Sequence, residues 1–149
     1  MLRSEVHDRM VDKRRACALV AAIAHAMVER LELHDADHVA ACWWIALKFE
    51  RGEPIYTDEI VRDVPEVTSC KALRLAEAVV LTRLHFVVPR DTVVHEVYAL
   101  LDDPHQYSAD LLVLLRAGML PLYDATEWAH MLGRKRRLCA DQSESVARA

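Results

Sequence analysis

The sequence predicts an all-α protein, a helical bundle around one buried central helix with a partial second helical segment after it. Three observations predict it. Hydrophobic residues make up 53% of the 149 positions while Gly numbers only 3 and Pro 5, a balance too poor in turn residues for a β-sandwich or a disordered chain. The five prolines (Pro54, Pro65, Pro89, Pro104, Pro121) all fall between apolar stretches, where a missing N–H does no harm to a helix. One stretch, Val39 to Leu47, runs nine residues without a charge, as suits a helix with neighbours on every side.

Taken in order, the charged segment 1–14 does not decide by itself whether a helix opens the chain. From about Arg15 to Leu33, Ala16, Leu19, Ile23, Met27 and Leu31 recur at three- and four-residue spacing, which predicts an amphipathic helix. Its alanines (Ala18, Ala21, Ala22, Ala24, Ala26) allow close approach of other helices. The charge-free run then forms the central helix, with Asp35 or Asp37 placed to cap it. A short helix follows Thr57, whose hydroxyl is positioned as a cap, and Pro65 stops it. Thr68 or Ser69 opens a longer helix to about Phe86, with Leu73, Ala76, Val80 and Leu84 on one face and Lys71, Arg74 and Glu77 on another. Three helices are expected beyond Pro89: Asp91 to Leu101, Ser108 to Met119, and one opened by Asp124, which stands at capping-box spacing from Glu127. From Arg134 the residues are charged or small, and a flexible basic tail is expected.

The formal net charge of -4 repels a phosphate backbone, so no nucleic-acid partner is expected. Cys17, Cys42, Cys70 and Cys139 form no Cys-x-x-Cys pair, which fits a reducing compartment and predicts a nuclear or cytoplasmic protein. The first residues carry charges where a signal peptide would be apolar, and no run approaches the roughly 18 residues of a bilayer span, so no membrane partner is expected.

The stretch from His38 to Thr92 carries phrases in a fixed order: Ala46-Leu47-Lys48-Phe49-Glu50, then Glu53-Pro54-Ile55-Tyr56, then Glu77 through Leu81, Leu84 and Phe86. In order and spacing it resembles the cyclin box, a five-helix bundle that binds a cyclin-dependent serine/threonine kinase. The resemblance implies that Lys48 and Glu77 form a charged pair facing the kinase's mobile C helix, with Phe49, Glu50, Ile55 and Tyr56 as the rim. It implies a regulatory subunit rather than an enzyme, with no cofactor and no metal, working as a monomer or as a heterodimer with its kinase. An activator is the first reading; an adaptor or decoy that binds without activating is the second, and a non-kinase interaction module the third. The family's Met-Arg-x-Ile-Leu phrase is missing, Leu47 stands where the family has serine, and the chain after Pro89 is too short for a second five-helix repeat. The implied organisation is therefore a reduced cyclin, with a box over 1–90, a remnant over 91–133 and the tail over 134–149.

Other readings stand beside these. Lys48 also suits an ordinary C-terminal helix cation, and Glu77 could pair with Arg74 three residues back. His34 and His38, four apart with Asp35 and Asp37 between, have a spacing that binds zinc if the segment is helical. No Gly-x-Ser-x-Gly turn or phosphate-cradling loop occurs. The run Arg134, Lys135, Arg136, Arg137, Leu138 reads as a nuclear address, an Arg-x-Leu docking peptide or a solvated tail.

Overall fold

The computed structural model describes residues 2–14 and 17–148, and within them it holds eight α-helices, two 3₁₀ turns and no strand. The chain is all-α, as expected. It divides into two compact units, Met1–Thr92 and Val93–Ala149.

The first unit holds α1 (Leu2–Arg14), α2 (Ala18–Arg30), α3 (Ala36–Arg51), α4 (Thr57–Asp63) and α5 (Cys70–Arg83). Helix α3 lies at its centre, packed against α1, α2 and α5. All nine residues from Val39 to Leu47 are buried, which is why the run carries no charge. Burying side chains such as Trp43, Ile45 and Leu47 stabilises the unit by about 1.5–3 kcal/mol each. Small residues on both sides of the contact, Ala21, Ala22 and Ala24 on α2 and Ala40, Ala41 and Ala46 on α3, let the helices approach closely. For this reason the buried face of α2 is wider than the expected stripe: Val20 and Val28 join Ile23 and Met27, while Leu19 and Leu31 are only half-buried. Arg15 and Ala16, expected at the start of that helix, lie outside the described residues.

The segment left open by the sequence forms α1, which among the described residues buries Val6, His7 and Met10. Such a narrow stripe gives little periodic signal. Arg9 Nε lies 2.6 Å from Glu66 Oε1 and ties α1 to the connection between α4 and α5.

Local chemistry sets the helix ends. Asp35, in extended backbone, accepts from the His38 N–H at 3.2 Å and caps α3. Gly52 closes the other end at φ 65, a left-handed conformation that glycine adopts without steric cost, and its N–H reaches the Lys48 carbonyl at 3.0 Å. The expected Thr57 cap is corrected: Tyr56 is the capping residue, and Glu59 Oε2 accepts from its N–H at 2.8 Å. A glutamate in the third helical position reaches back to the cap backbone, so the helix starts with Thr57 already inside it. Ser69 Oγ accepts from the Ala72 N–H at 3.0 Å and opens α5. That helix stops at Arg83 rather than near Phe86 because His85 turns left-handed at φ 52. Phe86 N–H then reaches back to the Leu81 carbonyl at 2.8 Å and His85 N–H to that of Thr82 at 3.1 Å.

The second unit holds α6 (Val93–Leu100), α7 (Ser108–Arg116) and α8 (Ala125–Arg148), with 3₁₀ turns at Pro104–Tyr107 and Leu120–Leu122. Val94, Val97, Leu111, Leu120, Trp128 and Leu132 are its main buried side chains. Gly118 at φ 69 ends the turn after α7. Asp124 and Glu127 form the expected capping box, Asp124 Oδ1 accepting from the Glu127 N–H at 2.8 Å and Glu127 Oε1 from the Asp124 N–H at 3.3 Å. The basic run from Arg134 is helical. Helix α8 runs without a break to Arg148, so Arg134, Lys135, Arg136, Arg137 and Leu138 are helical and exposed; Ala149 lies outside the described residues. A firm cap nucleates the helix, and Arg, Lys, Leu, Ala and Gln, all good helix formers, propagate it with no proline after Pro121. Among the described residues no helix is long and apolar enough to cross a membrane.

Candidate protein-docking surface

Lys48 stands in the last turn of α3, where the helix dipole favours a cation, and its ammonium donates to Glu77 Oε2 on α5. The two residues are 29 apart in the chain. One turn earlier on α3, Trp44 lays its ring under the same ammonium, 3.5 Å from Nζ to the ring centroid. The indole is itself fixed, because Nε1 donates to the Ile55 carbonyl at 2.7 Å. Lys48 is thus held between an aromatic face and a carboxylate, with its side chain 32% exposed and that of Glu77 20%. A pair this far from full solvent, with a cation–π contact of roughly 1 kcal/mol added, is better fixed than an ordinary surface ion pair.

A second tie explains why α3 and α5 meet in this register. Asp37, in the first turn of α3, accepts from both the backbone N–H of Thr68 at 2.9 Å and its hydroxyl at 3.1 Å, just ahead of α5. The two ties have the same order along both helices, so α3 and α5 run in the same sense and bring Lys48 opposite Glu77. Arg74, the other partner open to Glu77 in the sequence, reaches the Thr57 hydroxyl instead at 3.4 Å.

The remaining predicted site residues lie around the end of α3 and the start of α4. Phe49 is 38% exposed and carries the Arg90 guanidinium 4.5 Å from its ring centroid. Glu50 is exposed, Ile55 is half-buried, and Tyr56 is 67% exposed at the cap of α4. The basic run Arg134 to Leu138 belongs to the second unit. Sequence reasoning missed Trp44 and Arg90. Trp44 was hidden among its buried neighbours, and only its four-residue spacing to Lys48 marks it. Arg90 had no such signal, since its ring partner is 41 positions away by the numbering.

Elsewhere the titratable groups lean toward structural work. Burial pushes the Cys42 thiol up to about 12, with Asp35 adding to the effect, so it is no nucleophile at neutral pH. Burial alone would raise the Asp35 carboxyl, but the bonds from the His38 ring and backbone outweigh it and hold the group below its ordinary value. His38 Nδ1 sits 2.6 Å from Asp35 Oδ2, and His34 precedes α3, so the two imidazoles do not share a helical face. Among the described residues no group of three or more His, Cys, Asp or Glu side chains is placed to hold a metal ion. No family model, curated protein or solved structure matches this chain.

Proposed function

We propose that the first unit is a cyclin-like regulatory module that docks on a cyclin-dependent protein kinase through the surface around Lys48 and Glu77. One observation carries the reading: the two residues that the cyclin-box phrases single out, distant in sequence, are paired in space and half-exposed on one surface. An ammonium has three donors and a carboxylate two acceptor oxygens, so the pair retains capacity to meet a partner's main chain beyond its own bond. Trp44 and Glu77 fix where the charges point, which sets orientation, while Phe49, Ile55 and Tyr56 offer apolar area around them.

In this reading the chain supplies binding energy and no chemistry. Docking beside the kinase C helix favours the position in which the kinase's own Lys–Glu pair is closed, the arrangement phosphoryl transfer requires. Activation follows only if the module binds that conformation more tightly than the inactive one. The experiment is capture of purified cyclin-dependent kinases by the full chain, followed by a phosphorylation assay on the complex. Lys48→Glu should reduce capture by about tenfold or more. Equal capture by the variant and the parent chain counts against the reading, and capture without added phosphorylation makes the module an adaptor rather than an activator.

A further inference from the structure

We infer that the groove between α7 and α8 is a docking site for an acidic, amphipathic helix of a partner protein. The groove, about 390 Å³, lies within the second unit. Helix α7 lines it with Asp110, Val113 and Leu114, and α8 with Trp128, Met131, Leu132 and Lys135. Both sets have the three- and four-residue spacing of a helix face, so two stripes oppose each other across an open gap instead of interlocking. Along α8 the lining extends over two turns, about 10 Å. That is room for two or three apolar side chains from one face of a helix.

The floor is preformed. Trp128 is 5% exposed, donates its Nε1 to the Leu120 carbonyl at 2.9 Å, and meets the Tyr123 ring edge-on at 5.1 Å. The walls face solvent: Val113 is 66% exposed and Met131 37%.

Charge identifies the occupant. The whole chain is -4, yet Arg134 to Arg137 place four exposed cations in one turn of α8, and Lys135 among them lines the end of this groove. Lys135 closes that end by bonding Asp110 at 3.1 Å, and Arg136 turns to the Tyr107 ring, 5.8 Å from its centroid. Arg134 follows Met131 by three positions and so stands on the same side of α8, at the rim. An apolar stripe with carboxylates beside it satisfies both features. A phosphate backbone would use the cations and leave the apolar gap empty, and a lipid surface needs a convex apolar face where this one is concave.

The test titrates the full chain into two fluorescein-labelled, helix-forming peptides with the same leucine stripe at i, i+3 and i+7, one flanked by glutamates and one by lysines, and follows anisotropy. The glutamate peptide should bind saturably, about tenfold or more tighter than the lysine peptide, and more weakly as salt rises. Val113→Glu and Arg134→Glu, both on exposed side chains, should each weaken it severalfold while leaving the helical circular dichroism unchanged; if Val113→Glu disturbs folding, Arg134→Glu decides alone. Equal binding of the two peptides, or undiminished binding by Arg134→Glu, overturns the assignment. So does binding to phosphatidylserine vesicles that Val113→Glu and Arg134→Glu abolish while the peptide goes unbound, or a self-associated chain that Val113→Glu dissociates.

Discussion

Trp43 donates its indole N–H to Nδ1 of His7 at 2.8 Å, joining α3 to α1 across 36 residues of chain. The bond requires a lone pair on Nδ1, so it exists only while His7 is neutral. The His25 ring stacks on His7 at 3.8 Å between centroids. Burial first, then His25 and Arg3, hold the His7 imidazolium down to about pKa 3, from an ordinary value of 6.5.

Acid should therefore weaken the first unit. Above about pH 6.5 His7 is neutral whether the chain is folded or not, and it adds no pH dependence. Below that the unfolded chain takes up a proton that the folded one refuses, so stability falls as pH drops from 6.5 toward 3. The slope from this one group approaches 1.4 kcal/mol per pH unit. Urea denaturation at pH 7.5, 6.5, 5.5 and 4.5 reads it directly. His7→Asn keeps an acceptor for Trp43 but cannot titrate, so its stability should fall less steeply over the same range. Parallel curves for the two proteins would assign the acid sensitivity to other groups.

The charge pair allows an exchange that separates folding from docking. Lys48→Glu alone places two carboxylates together on a partly buried surface and should cost about 1–2 kcal/mol. The double variant Lys48→Glu with Glu77→Lys restores an intramolecular pair with its polarity reversed. It should regain most of that stability in thermal denaturation while kinase capture stays weak, because a partner reads which side carries the donor. Recovery of capture in the double variant would show that the pair serves the fold alone.

Trp44 makes two contacts that one substitution can divide. Trp44→Phe keeps an aromatic face for the Lys48 ammonium but removes the N–H bonded to the Ile55 carbonyl. The loss should be about 1 kcal/mol, seen in the denaturation midpoint, with the Lys48 surface retained. Trp44→Leu removes the aromatic face as well and should lower both stability and kinase capture. Equal behaviour of the two variants would mean that the ring contributes nothing to positioning Lys48.

The legible part of this fold is the part written in periodic burial. Val39 to Leu47 announces a central helix because a helix with neighbours all round accommodates nine uncharged residues, and every one of them is buried. Ser69, Asp35 and the Asp124–Glu127 pair announce helix starts through side chains that reach only a few positions. What escaped depends on partners far along the chain. Helix α1 is held by Arg9 on Glu66 and His7 on Trp43, contacts 57 and 36 residues long that no local pattern encodes. The Lys48–Glu77 pair was reached by resemblance rather than by physics, since charge and spacing favoured Arg74 as the partner of Glu77. Trp44 was read as core because a ring that is 7% exposed can still turn one face to a cation.

The helical state of the basic run is open to a single substitution. Gly133 lies inside α8, one position ahead of Arg134, in a conformation that needs no glycine. A Cβ built there meets only the Arg137 Nη1 atom, at 3.6 Å, an ordinary contact with the mobile end of a long side chain. In a helix interior, glycine costs about 0.5–1 kcal/mol relative to alanine through backbone entropy. Gly133→Ala should therefore raise the unfolding free energy of the second unit by about that amount and increase the circular dichroism at 222 nm. The gain requires that residues on both sides of position 133 be helical in the folded chain: a run that emerged from Gly133 as irregular tail would give alanine no helix to stabilise. Unchanged stability and helicity in Gly133→Ala would thus restore the flexible tail, and remove the rim of cations from the α7–α8 groove.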